Sequence, residues 1–317
     1  MGVTNGVRCL VKACLAALAL SVVCRAPHVR AARPSLAGAI DMHCHTSPDV
    51  VPRLLDAVSL ARQARQRGLR AIVFKDHLTP SAAKAALVAQ AVRGVEVFGG
   101  IVLNHSVGGI NPAAVEAMAL TTGQHGKVVW LPTVDAENHV KQDRRSRRDV
   151  TPVKVFENGK PVAALLEIFE LCRRYDLVLA TGHVSVAESL MITKAALRAG
   201  VNKVLVTHAT DWPIFASVEE IGSLVDSGAF VELALPIARN GISHPDIEAQ
   251  FDKLASAFVR VGAQHLVLSS DLGQPDNPPH VHGLARFVAA LEKRGVPEKD
   301  LERAIKTNPA YLLGLTK

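Results

Sequence analysis

Several common signatures are missing from this 317-residue chain. Its five cysteines form neither a CxxC pair nor a zinc-ribbon spacing, which argues against a disulfide framework and a structural zinc module. No P-loop is present and no GxGxxG follows a predicted strand, so neither common nucleotide-binding motif is found. Aromatic residues make up only 4% of the chain, whereas 49% of its residues are hydrophobic. That composition suits alanine-rich helices that alternate with strands of valine and leucine.

Acidic residues are also missing from the first 40 positions, where five basic residues stand. The net charge is +7, so the remainder of the chain is nearly neutral and a nucleic-acid partner has little support. The apolar run Ala13–Val23 follows two basic residues, like the start of a signal peptide. It is short for a membrane span, and three arginines after it disfavour translocation.

We therefore set residues 1–36 apart as an N-terminal extension, a possible signal or anchor segment. A cytoplasmic protein is expected, and export or tethering through residues 1–36 is the alternative. Membrane contact is expected only if that segment is a real anchor.

From residue 37 onward, strand-like apolar runs alternate eight times with helical patterns. The predicted strands are Ala39–His45, Arg70–Asp76, Val95–Asn104, Lys127–Thr133, Leu177–His183, Lys203–His208, Ala229–Leu235 and His265–Asp271. The predicted helices cover 53–67, 80–92, 112–120, 162–174, 186–198, 218–226, 246–261 and 283–293, with a closing segment at 298–313. This alternation predicts an α/β protein, a single-domain (β/α)8 TIM-type barrel over residues 37–317, with a doubly wound open sheet as the alternative.

Histidine or aspartate residues end four of these predicted strands. They are His43, His45, His183, His208 and Asp271. The first two are two positions apart, so they point to one face, with Asp41 one layer lower and Cys44 on the opposite face. The carboxyl ends of barrel strands meet at the catalytic face, so these side chains should converge there. Three or four nitrogen and oxygen donors with an open position are typical of a catalytic metal site.

This pattern resembles that of the amidohydrolase superfamily. The matching features are the HxH on the first strand, the histidines after the fifth and sixth strands and the aspartate after the eighth. The resemblance covers about residues 38–316, and the stretches GGIVLNHSVGGINPAAVEA and SSDLGQ look like an uncharacterised amidohydrolase-like group. It implies one or two divalent metal ions, with zinc first and manganese second. It also implies hydrolysis of an amide, lactone or ester bond in a small molecule by metal-activated water.

By the same resemblance, His43, His45 and Asp271 would hold a first metal. His183 and His208 would hold a second metal, or position water and substrate. Asp271 can also accept the proton of the water, as general acid–base catalysis requires.

The ligand that would bridge two metals departs from the superfamily pattern. Two-metal members place a carboxylated lysine or an acid on the third or fourth strand, and no lysine ends the fourth strand here. Lys75 and Asp135 are the candidates for this role, and Lys75 is also a candidate catalytic residue beside Asp271. The simpler interpretation of Lys75 is an ion pair or a substrate contact, and that of Asp135 is a loop cap. Further candidates for ligand or substrate contacts are His77, Asn104 and Glu232, and Glu232 could instead orient a ligand or form a salt bridge.

Three other functions stay open at this stage. HCHT together with KDH resembles the phosphoesterases of the polymerase and histidinol phosphatase type, but Leu272 and Gly273 follow Asp271 where that family would place a histidine. Related barrels also perform metal-dependent decarboxylation. A non-catalytic metal-binding barrel is the third alternative. A homo-oligomer is compatible with all of them.

Overall fold

The computed structural model describes residues 35–143, 150–236 and 246–315. The predicted extension at 1–36 therefore lies almost entirely outside the described residues. Within them, no helix combines the length and hydropathy needed to cross a bilayer.

Eight parallel strands form one sheet, in the order β1-β2-β3-β4-β7-β8-β9-β10. Their bounds are Ile40–Cys44 for β1, Ala71–Phe74 for β2, Glu96–Val102 for β3, Gly126–Trp130 for β4, Val178–Ala180 for β7, Val204–Val206 for β8, Phe230–Ala234 for β9 and Leu266–Ser269 for β10. The first and last strands meet through two backbone hydrogen bonds, His45 N to Leu272 O at 2.8 Å and Asp271 N to His43 O at 2.9 Å. The predicted (β/α)8 barrel is confirmed. Three of the predicted metal ligands, His43, His45 and Asp271, take part in the hydrogen bonds that join its first and last strands.

Helices connect the strands and follow the last one, and most of them lie close to the predicted ranges. They are α1 Ala57–Gln66, α2 Ala82–Ala91, α3 Pro112–Ala119, α4 Glu137–Gln142, α5 Ala163–Arg174, α6 Val186–Arg198, α7 Val218–Asp226, α8 Ile247–Val261, α9 His280–Glu292, α10 Glu298–Glu302 and α11 Asn308–Leu312. Helix α1 begins four residues later than expected because Asp56 caps it, accepting a hydrogen bond from Ser59 N. Residues 53–55 are thereby left in the loop above the barrel.

Two elements were not expected from the sequence. Helix α4 follows β4, and a small hairpin pairs β5 (Phe156–Glu157) with β6 (Lys160–Pro161). Both lie in the long polar connection after β4. The closing helix is also not continuous, because a π-helical turn at Arg303–Thr307 separates α10 from α11.

The core has two layers, as a barrel requires. Inward residues such as Val73, Trp130 and Val267 fill the barrel, while outward residues such as Phe74 and Leu268 pack against the helices. Cys44 belongs to the outer layer, as its position on the strand predicts.

A β-bulge in β1 corrects the prediction for Asp41. Asp41 pairs with Ile72 and Cys44 pairs with Phe74, so three steps along β1 match two along β2. Ile72 and Phe74 both face the outer layer. Asp41 therefore does not share the face of His43, and the expected alternation is wrong at this one point because the extra residue reverses it.

Candidate metal and active site

Three predicted ligands converge at the carboxyl end of the barrel. His43 Nε2 lies 3.1 Å and His45 Nε2 lies 3.0 Å from the same oxygen, Oδ1 of Asp271. All three residues are buried, and one ligand atom from each lies within 4.8 Å of the others. This arrangement could hold a metal ion, with two imidazole nitrogens and one carboxylate oxygen as donors.

In both histidine rings, Nδ1 contacts a neighbouring oxygen, and this contact fixes the orientation of the ring. His45 Nδ1 lies 2.7 Å from the carbonyl oxygen of Lys75, and His43 Nδ1 lies 3.2 Å from both carboxylate oxygens of Glu232. Because these oxygens only accept hydrogen bonds, both Nδ1 atoms must donate. With its proton on Nδ1, each ring can offer the lone pair of Nε2 on the side of Asp271, as a metal ligand must.

Burial lowers the pKa of His45 well below its usual 6.5, and the charge of Arg53 adds to this effect. The ring is therefore neutral at physiological pH. Two nitrogen lone pairs that face a carboxylate oxygen at about 3 Å repel it, and a cation between them turns this repulsion into coordination. The donor set therefore fits a divalent metal ion.

Unusual backbone geometry brings Asp271 and its neighbours to this position. Asp271 has a φ of +50° and His208 a φ of +22°, both in a region that non-glycine residues seldom adopt. Gly273 has a φ of +135°, and a Cβ there would lie 2.1 Å from the carbonyl oxygen of His45. Only glycine allows the chain after Asp271 to pass so close to the first strand.

The other two predicted ligands form a second group. His183 Nε2 and His208 Nε2 are 3.0 Å apart, and the rings of His208 and His43 stack with centroids 5.8 Å apart. Glu232 connects the two groups, because its Oε2 also accepts a hydrogen bond from His208 N at 2.9 Å. Burial, and then the neighbouring His208, lower the pKa of His183 well below its usual value. All five predicted ligands are thus close to one another.

His139, which the sequence placed on this face only as a weaker candidate for a substrate contact, joins the second group. Its Nδ1 lies 2.7 Å from Nδ1 of His183, and the two rings stack with centroids 5.0 Å apart. Burial lowers the pKa of His139 to about 4. Helix α4, which the sequence reasoning missed, carries His139 to this place.

The remaining candidates divide into two groups. Lys75 and His77 line the cavity, and the ring of His77 stacks on that of His45 with centroids 5.1 Å apart. Asn104 instead ties two loops together, donating to His77 O at 2.8 Å, and Asp135 Oδ2 accepts from His105 N at 2.8 Å. Asn104 and Asp135 thus have scaffold contacts and are not among the cavity-lining residues.

A cavity of about 230 Å³ opens above the ligands. Beyond the predicted residues, its wall includes Asp49, Arg53, Trp212 and Gln274, together with apolar residues such as Val50. These come from loops after the strands, where no periodic pattern marks a residue as facing the site.

Several solved structures share this fold, although no curated protein matches the sequence. A lactonase template engineered for organophosphate hydrolysis superposes with a TM-score of 0.60 at 16% identity, covering 88% of this chain and 97% of the other. An organophosphorus hydrolase from Deinococcus radiodurans gives 0.58 at 16% identity, covering 88% and 93%. A putative 2-pyrone-4,6-dicarboxylic acid hydrolase from Pseudomonas putida gives 0.58 at 17%, covering 88% and 98%.

At this identity the likeness establishes the barrel fold. A family model for a family of unknown function, DUF6282, matches residues 38–232, which span β1 to β9 and include all the candidate ligands except Asp271. The chain belongs to the DUF6282 family.

Proposed function

We propose that this chain is a metal-dependent hydrolase of the amidohydrolase type that cleaves a lactone, ester or amide bond in a small molecule. The observation that carries the proposal is the convergence of His43, His45 and Asp271, whose ligand atoms lie within 4.8 Å of one another beside a cavity that His45 and Asp271 line. The proposed catalytic domain is residues 37–317, with residues 1–36 as a separate extension.

A divalent cation, with zinc first and manganese second, would supply Lewis-acid activation of water and polarisation of the scissile carbonyl. The residues around it have separate tasks. Asp271 lies at the junction of both imidazoles and is placed to take a proton from water and pass it to the leaving group. Glu232 accepts a hydrogen bond from Nδ1 of His43 and so favours the tautomer that leaves Nε2 free of a proton.

Lys75 is the candidate substrate contact at the floor of the cavity. Its side chain is 1% exposed, and its Nζ lies 5.9 Å from the centroid of the Trp130 ring. An ammonium in this position is suited to orient an oxygen of the bound substrate. His183 and His208 either hold a second cation or position water and substrate, and counting the bound metal separates these two roles.

Hydrolysis of a lactone or ester is preferred over the phosphoesterase alternative. The observation that favours it is Leu272, which follows Asp271 and is fully buried in the hydrophobic core rather than facing the cavity. The similar folds do not separate the two chemistries, because they include a lactonase template and a pyrone dicarboxylate hydrolase but also an organophosphorus hydrolase. No observation favours decarboxylation.

The test compares the wild-type protein with Asp271→Asn and with Asp226→Asn, a control at the exposed end of α7. Each protein is reconstituted with zinc or manganese, its metal is quantified, and a panel of lactones, esters and amides is assayed. Asp271→Asn should lose metal and hydrolysis together, while Asp226→Asn keeps both. A wild type that binds no metal after reconstitution, or that binds metal and hydrolyses nothing in the panel, contradicts the proposal.

A His183→Ala variant counts the metal sites. If the second group holds its own cation, the wild type binds about two equivalents and His183→Ala about one. If the second group only positions water and substrate, both proteins bind about one equivalent and His183→Ala loses turnover alone.

A further inference from the structure

Arg53 is a cation on the cavity wall that the proposed chemistry does not use. It lies in the loop between β1 and α1, and its side chain is only 6% exposed. Its Nε and Nη2 both contact Oδ2 of Asp49, each at 2.7 Å, and the other oxygen of Asp49 accepts a hydrogen bond from Val50 N. Asp49 thus holds the guanidinium by one edge and fixes its orientation.

The other edge of the guanidinium, which includes Nη1, does not contact Asp49. Within residues 35–143, 150–236 and 246–315, no acceptor takes a hydrogen bond from Nη1 of Arg53. Arg53 lines the same cavity as His45, His77 and Asp271, so its guanidinium lies on the side of the proposed ligands. A planar guanidinium with an available edge matches the two oxygens of a carboxylate.

The charges on the cavity wall also favour an anion. The acidic side chains that line it are Asp49, which is paired with Arg53, and Asp271, which belongs to the proposed metal ligands. Arg53 and Lys75 supply two positive charges, and a divalent cation at the floor would add two more. The wall also carries apolar side chains, among them Val50, Leu78 and Trp212. The cavity is therefore suited to a molecule with an apolar body and a negatively charged end.

We propose that the substrate carries a carboxylate and that Arg53 binds it through its free edge, while the scissile bond lies at His43, His45 and Asp271. This inference rests on the proposed function for the place of the scissile bond. The substrate class is a lactone, ester or amide whose acyl or leaving part bears a carboxylate. Arg53 is then the residue that determines specificity, and it takes no part in bond breaking.

The test measures binding rather than turnover, on the full-length protein reconstituted with zinc. The probes are glutarate and butyrate, which share one carboxylate and differ in the second. One charge-assisted pair of hydrogen bonds should make glutarate bind about ten- to a hundredfold more tightly than butyrate in the wild type. Arg53→Gln should abolish this preference, and Arg62→Gln, an exposed arginine on α1, should leave both dissociation constants unchanged.

The Asp49→Asn variant distinguishes carboxylate binding by Arg53 from a role of Arg53 in anchoring the loop. If Arg53 only anchors the loop through Asp49, then Asp49→Asn should lose the preference as Arg53→Gln does. If Arg53 binds the carboxylate, Asp49→Asn should keep or strengthen it, because the guanidinium loses its competing anion.

If Arg53→Gln fails to fold, Arg53→Lys replaces it in the binding test, because an ammonium can keep the ion pair with Asp49. It presents a point charge instead of a fork, so the preference for glutarate should fall by at least about threefold. Equal affinity for both probes in the wild type, or an undiminished preference in the folded Arg53 variants, overturns the proposal. If the wild type hydrolyses no substrate but shows the Arg53-dependent preference, the proposed function fails while the assignment of Arg53 as a carboxylate-binding residue stands.

Discussion

Replacing Glu232 by glutamine should weaken metal binding without disturbing the barrel, because Glu232 sets the tautomer of His43. Its two oxygens lie 3.2 Å from His43 Nδ1, and Oε2 also accepts from His208 N at 2.9 Å. In Glu232→Gln, the amide oxygen must stay on the His208 N–H, since the amide nitrogen cannot accept. The amide NH2 then replaces Oε1, one of the two oxygens 3.2 Å from Nδ1 of His43, so Nδ1 keeps only the amide oxygen as an acceptor and meets a donor on the other side. This shifts the ring toward the tautomer with its proton on Nε2, the nitrogen that faces Asp271.

The expected loss can be worked out from this geometry. A proton on Nε2 occupies the lone pair that would bind the cation, so binding requires rearrangement of the ring or of the amide. Substitution of such a supporting partner typically weakens metal affinity about 10- to 100-fold, or roughly 1.4–2.7 kcal/mol. Competition with a chromophoric chelator measures the zinc and manganese dissociation constants directly. Glu219→Gln, at an exposed position on α7, is the matched control.

The outcome that refutes this reasoning is specific. If Glu232→Gln binds metal within about twofold of the wild type and melts at the same temperature, Glu232 does not orient His43. A loss of folding instead of affinity would assign Glu232 a structural role at the junction of β8 and β9.

Two further predictions concern stability. A Cβ at Gly182 (φ +64°) would lie 2.2 Å from Leu131 O, whereas Gly295 (φ +82°) has nothing within 4 Å. Gly182→Ala should therefore lower the free energy of unfolding by about 1–3 kcal/mol more than Gly295→Ala in urea denaturation, and equal losses would contradict the clash. Burial lowers the pKa of His280 from 6.5 to about 4, and its Nε2 donates to His45 O. The unfolded state thus binds the proton first, so His280 alone should cost the metal-free protein up to about 3 kcal/mol of stability as pH falls from 6.5 to 4. His280→Gln, which keeps a donor, should reduce the pH dependence of unfolding by this share, and an unchanged slope would contradict it.

Local patterns in the sequence account for most of the fold. Apolar runs, each followed by a helical pattern, are enough to locate the ends of all eight barrel strands within three residues. The boundaries differ because an apolar run does not show where backbone pairing stops. His45, His183, His208 and Asp271 all lie one to three residues past the end of their strands.

The helix boundaries show the same limit. The amphipathic stripe of α1 extends to Leu54, but the capping bond between Asp56 and Ser59 N begins the helix at Ala57. Helix α4 was missed because six residues of mixed polarity carry no clear helical period.

The sequence alone determined the barrel class and the five side chains that meet at its carboxyl end, because strand period and strand-end position are local properties of the chain. The tertiary structure decided what those side chains can do. The bulge in β1, the tautomers set by Glu232 and Lys75 O, and the places of Arg53 and His139 all depend on contacts between segments far apart in the chain. Such contacts arise only when the barrel closes, and no local pattern encodes them.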